Sequence, residues 1–157
     1  MSPGRRPGAN APLASMAAAA AVLLLLASCA GRPTPVRDSG PISLQGVCAQ
    51  ADVDGFREQA RLAVDRGAVR SLDWQIWIGR EGTCSFNLSD FEQTRTRPHI
   101  ELLARDSSGC KLLVYQDPRR VTLAHAGCER HCTNNVSEKA WPVMFDPRSG
   151  GCANLSR

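Results

Sequence analysis

The side chains best equipped for chemistry lie close together at His125-Ala-Gly-Cys128-Glu-Arg-His131-Cys132. Imidazole nitrogens and thiolates at such spacings are ligands for zinc or copper, so a metal-binding protein using His125, Cys128, His131 and Cys132 is one reading. The plainer reading puts both thiols in disulfides and both histidines at the surface. The sequence favours it, because no methionine-rich copper motif occurs; a redox use of Cys128-x-x-x-Cys132 is a weaker reading still, since it has one residue more than the usual dithiol. There is no nucleophile elbow, no His-Glu-x-x-His pair and no glycine-rich phosphate loop, and Asp73, Asp90, Glu92 and Glu101 are scattered. The expectation is a protein that is not an enzyme and carries no cofactor. A second group is basic: Arg95, Arg97, Arg119 and Arg120 fall in or beside expected turns, and guanidinium forks suit phosphate or carboxylate groups.

The elements that must position these groups can be read from periodicity. Val53, Phe56, Ala60, Ala63 and Val64 recur at helical spacing, with Asp52 or Asp54 suited to the N-cap and Gly67 to the stop, which predicts one amphipathic helix. From Leu72 the period changes to two. Leu72, Trp74, Ile76 and Ile78, the turn 79–82, then Cys84, Phe86 and Leu88 make a hairpin signature. Further strands are expected around 100–104, 110–116 and 121–126, with turns at 106–109 and 117–120, and a sixth, edge strand at Trp141, Val143 and Phe145 interrupted by Pro142. The predicted class is α+β: a small antiparallel meander of about five strands packed on one helix, with Trp74 in the core and Trp77 nearer the surface. Strand alternation then gathers the 90–97 and 117–120 connections, with their four arginines, at one end of the sheet, and Cys84, Cys110 and Cys128 at the other. Folding about 117–120 sets residue 110 against 127 or 128, so Cys110–Cys128 is the first bridge expected.

Where the chain is sent decides how its cysteines are read. An apolar run of about fifteen residues, Leu13 to Ala27, covers roughly 22 Å as a helix, short of a hydrocarbon core of about 30 Å. Arg5 and Arg6 precede it, and small residues follow, the layout of a cleaved signal. Leu26-Ala27-Ser28-Cys29 resembles the lipobox of bacterial lipoproteins. The resemblance implies that the Cys29 thiol receives a diacylglyceryl group, that the chain is cut before it, and that further acylation gives a stable membrane anchor. Ala30 rather than Asp after that cysteine implies the outer membrane, with the domain on its periplasmic side. The expected organisation is a signal peptide over 1–28, a lipidated N-terminus and proline-rich tether over 29–45, and one globular domain over 46–157.

Seven cysteines are an odd number for an exported chain, and setting Cys29 aside makes it even. Cys48, Cys84, Cys110, Cys128, Cys132 and Cys152 are then expected to form three disulfides in an oxidising compartment. Without residues 1–28 the chain keeps seventeen basic against fifteen acidic residues, a formal charge of +2, and nothing marks it for nucleic acid. These features predict a non-enzymatic envelope lipoprotein with a binding or structural role, held to the membrane through Cys29 and open to an anionic envelope component or a protein partner. Small disulfide-bonded lipoproteins of the envelope include lysozyme inhibitors, and similarity in size, anchor and class makes that the alternative. The weak positive charge suits a strongly basic lysozyme poorly.

Overall fold

A computed structural model describes residues 40–153; Cys29 and the expected signal peptide lie outside the described residues. Nine strands follow one another among the described residues, and within each of two sheets every strand is antiparallel to the last. β1 (Leu44–Ala51), β2 (Phe56–Asp65), β3 (Ala68–Ile78) and β4 (Gly82–Asn87) form one sheet in that order, and β5 (Phe91–Arg95), β6 (Ile100–Ala104), β7 (Lys111–Gln116), β8 (Val121–Ala126) and β9 (Val143–Phe145) form the second. The predicted α+β class is therefore corrected. The described chain is nearly all β, with two sheets in place of one meander, and only short 3₁₀ turns interrupt the strands.

The expected helix is β2. Its core-facing residues are Glu58, Ala60, Leu62 and Val64, alternating with exposed Arg57, Gln59 and Arg61, so the true period is two. The helical reading needed Val53 inside, whereas Val53 is fully exposed in the loop before β2. A helix with that apolar face would also set Glu58 on the opposite side, whereas its side chain is fully buried. Gly67, read as a helix stop, belongs to a two-residue hairpin with Arg66, both at positive φ (84° and 47°), the geometry that best joins two right-twisted strands. As a strand, β2 pairs with β3 along its whole length and with β1 from Arg57 to Val64, and covers the core with three aliphatics that a helix would have divided between two faces.

The core lies between the sheets. Trp74 and Phe86 of the first sheet have ring centroids 5.0 Å apart, and Phe86 meets Phe91 of the second at 6.4 Å. Trp74 is completely buried, as its face predicted, and Ile100, Leu102, Leu112, Val114, Val121 and Leu123 supply the opposing layer. The packed region begins earlier than residue 46, since Ile42 and Leu44 are buried. Gly46 lets β1 approach Phe145 of the second sheet: a Cβ there would stand 2.8 Å from the Phe145 ring.

Disulfides and the segments after β8 and β9 close both edges of the first sheet. Cys48–Cys152 ties β1 to the chain after β9, where the Val47 N–H donates to the Gly150 carbonyl at 2.9 Å. Cys84–Cys132 holds the segment after β8 against β4, where Thr133 N–H donates to the Thr83 carbonyl at 2.8 Å. Cys110–Cys128 staples the open end of the β7–β8 hairpin, whose register sets Lys111 against Ala126. Covered edges offer no template to other chains, and the bridges add constraint to a core of modest size.

Candidate functional site

The metal reading does not survive the pairing of its thiols. Cys128 and Cys132 belong to different disulfides, so neither sulfur is a thiolate ligand. His125 points inward from β8, its ring 5.5 Å from Phe86 and 5.7 Å from Trp74, with Nε2 3.2 Å from the Ala140 carbonyl. Burial pushes its pKa down, against smaller upward contributions from that carbonyl and from Glu129. His131 stacks on Phe86 and Phe91 and approaches Asp106 at 3.6 Å. Among the described residues no group of three metal-ligating side chains converges.

Four turns meet at the other end of the domain, and all of them carry arginine. The β2–β3 turn brings Arg66 and Arg70, which share Asp65 at 3.5 Å each. The β5–β6 connection brings Arg95 and Arg97, with Arg95 3.7 Å from Glu101. The β7–β8 turn brings Arg119 and Arg120, and Arg120 Nε donates to Asp117 at 3.0 Å. The turn after β9 brings Arg148.

Contacts between the turns show that they share one end. A Cβ built on Gly67 would lie 3.8 Å from that of Thr96 and 3.9 Å from that of Pro41. The Gln93 amide of β5 donates to the Gly67 carbonyl at 2.7 Å and accepts from the Val69 N–H at 2.9 Å. A groove of about 450 Å³ sets Arg148 and Pro147 beside Ser43 and Asp65. Arg120 reaches Met144 Sδ at 3.5 Å, and His99 packs on Tyr115 at 4.9 Å between the two turns of the second sheet. The arginines read from the sequence thus occupy one end of their sheet, and the structure adds Arg66, Arg70 and Arg148. These three escaped sequence reading because the first two sit in the hairpin mistaken for a helix terminus and the third in a tail with no assigned neighbour.

Three carboxylates at this end, Glu101, Asp117 and Asp146, are held ionised. The Thr94 hydroxyl, donating at 3.1 Å, is the largest influence lowering Glu101, and with Lys111 and Arg95 it outweighs desolvation. Burial pushes Asp117 up, but N–H groups of Arg119 and Arg120 at 2.7 and 3.0 Å, together with the Arg120 guanidinium, bring it below the usual range. Asp146 is lowered by the N–H groups of Ser149 and Arg148, both at 2.8 Å. These acids shape the turns and leave charge over: seven arginines stand against four carboxylates, Asp65, Glu101, Asp117 and Asp146. The remaining described residues reverse the balance, with seven cations against ten carboxylates. The domain is an electric dipole, and its positive pole is rich in arginine.

The opposite end is different in kind. Trp141, 71% exposed, borders an open groove of about 570 Å³ with Phe56, Ile78, Glu81 and Lys139, and Glu81 and Lys139 form an ion pair. Trp77 lies half-buried under the Arg57 guanidinium, 4.5 Å from its ring centroid. The architecture defines a disulfide-stapled, all-antiparallel two-sheet domain. Comparison with family models, curated proteins and solved structures finds no match for the chain.

Proposed function

We propose that this chain is an envelope lipoprotein, anchored in the outer membrane through lipid on Cys29, whose periplasmic domain binds rather than catalyses. One observation carries the reading. All six cysteines after Cys29 are bonded to one another, as Cys48–Cys152, Cys84–Cys132 and Cys110–Cys128, which leaves the lipobox cysteine as the one thiol the domain does not use. Three such bridges suit an oxidising compartment, and Cys29 stands where the lipobox resemblance expects acylation.

The arginine-rich end supports a binding role and names the ligand class, since guanidinium forks take phosphate or carboxylate oxygens two at a time. Growth of the producing cells with a fatty-acid probe tests the anchor. The wild-type chain takes up label and fractionates with the outer membrane, and Cys29→Ala does neither. Label retained by Cys29→Ala, or an unlabelled wild type, overturns the reading.

A further inference from the structure

The described chain begins at Gly40, and its first buried residue, Ile42, accepts the Gly67 N–H at 2.7 Å. Ser43 Oγ accepts from the Arg66 N–H at 3.1 Å. The N-terminal segment therefore joins the domain beside the β2–β3 turn, among the arginines. Its own sequence carries Arg32 and Arg37 against Asp38. The covalent entry point and the positive pole are the same place. Nothing in folding requires this, because the strands could equally have started at the end that carries Trp141.

We infer that this end of the domain is a docking surface for an anionic lipid layer: its guanidinium groups contact lipid phosphates and seat the domain on the membrane to which it is tethered, with Trp141 and its groove turned away. The inference rests on the anchored-lipoprotein reading and gives that reading an orientation. Three observations choose a phosphate-bearing surface over a small anion. The arginines are spread over four turns: Arg95 and Arg97 border one open groove and Arg148 another, and Arg119 and Arg120 border neither. Arg119 makes no side-chain hydrogen bond or ion pair among the described residues. Glu101, Asp117 and Asp146 are held below the usual carboxylate range, so the charges they set against the arginines are constant across neutral pH. Juxtamembrane basic residues within a Debye length, about 8 Å at physiological ionic strength, each strengthen attachment to such a surface.

The test uses the domain from residue 38 onward, a compact unit that holds the whole core and all three bridges. Because this domain lacks Cys29, failure of the lipid anchor leaves the result untouched. It is mixed with vesicles rich in phosphatidylglycerol or made of phosphatidylcholine alone, and bound protein is measured by flotation. We expect binding to the anionic vesicles only, lost as salt is raised. Replacing Arg95, Arg97, Arg119 and Arg120 together with serine lowers partitioning by about tenfold or more, at unchanged melting temperature. The same four as lysine keep most of it. Arg80→Ser with Arg130→Ser, which removes charge at the other end, leaves it unchanged. Trp141 remains as open to a soluble quencher on the vesicle as off it. Equal binding to phosphatidylcholine, no binding to anionic vesicles, equal loss from either set of arginines, or shielding of Trp141 would each overturn the inference, and the last would make the aromatic end the membrane-facing one.

Discussion

Glu58 is the residue whose replacement tests the packing argument most sharply. Its side chain is fully buried in β2, with Trp74 Nε1 donating to Oε2 at 3.2 Å and the Gln50 amide donating to Oε1. Burial raises its pKa above the ordinary 4.5, against the two hydrogen bonds, which lower it, and with a smaller upward push from Asp52. Glu58→Ala leaves the Trp74 N–H buried without a partner, a cost of about 1–3 kcal/mol, and adds a cavity between the sheets. The total of roughly 2–4 kcal/mol corresponds to a fall in melting temperature of about 8–20 °C for a domain of this size. Glu58→Gln keeps both contacts once the Gln50 amide turns over, and removes the charge. Because the folded-state pKa is raised, the wild-type carboxyl contributes full stability below its unfolded value and loses it as pH rises through the folded value. The stability of Glu58→Gln relative to wild type should therefore climb as pH rises from the ordinary 4.5 through the raised folded value, by about 1.4 kcal/mol for each unit of displacement. Urea unfolding of the three proteins at a series of pH values measures this. An alanine variant as stable as wild type, or a glutamine variant whose advantage shrinks as pH rises, would refute the burial assigned to β2 and with it the correction of helix to strand.

Other consequences follow from the same geometry. Replacing Cys48 and Cys152 with serine opens a loop spanning 104 residues of sequence and should cost about 4–5 kcal/mol in chemical denaturation, more than loss of Cys110–Cys128, whose separation is 18. Gly150 has φ 72°, and a Cβ there would stand 2.0 Å from the Gln45 carbonyl oxygen, so Gly150→Ala should pull the C-terminal segment off β1 and speed exchange of the Val47 amide. His125 has a depressed pKa, so the stability it contributes is complete above its ordinary 6.5 and is lost as pH falls toward the folded value. His125→Gln should flatten the stability profile on that acid side.

Much of the second sheet was legible in the sequence, because apolar residues alternate cleanly from Ile100 to Ala126 and the turns 106–109 and 117–120 carry Asp, Ser, Gly and Pro. The register of that hairpin put Cys110 against residue 127 or 128, and the structure bonds it to Cys128. The first two strands were hidden for opposite reasons. Along β1 the inward positions after Leu44 are Gly46 and Cys48, too weak an apolar signal to show a period. Along β2 a charged residue faces the core, so the period looked helical. β5 presents only Phe91 to the core and read as a loop. The other two bridges join residues 104 and 48 apart, a pairing that depends on how the sheets stack. The same dependence kept the seven arginines from being read as one surface: the β2–β3 turn was hidden in the expected helix, and its meeting with the turns of the second sheet depends on how the sheets stack.

The central claim is that Cys29 begins the mature chain and carries lipid while all other cysteines are paired. Intact-mass measurement of the protein extracted from membranes, before and after alkylation under denaturing, non-reducing conditions, addresses both halves at once. The account predicts a chain starting at Cys29 with the added mass of a diacylglyceryl and acyl group, and no alkylated thiol until reductant is added, when six appear. A mature chain starting elsewhere, a Cys29 without lipid, or a thiol alkylated before reduction would contradict it.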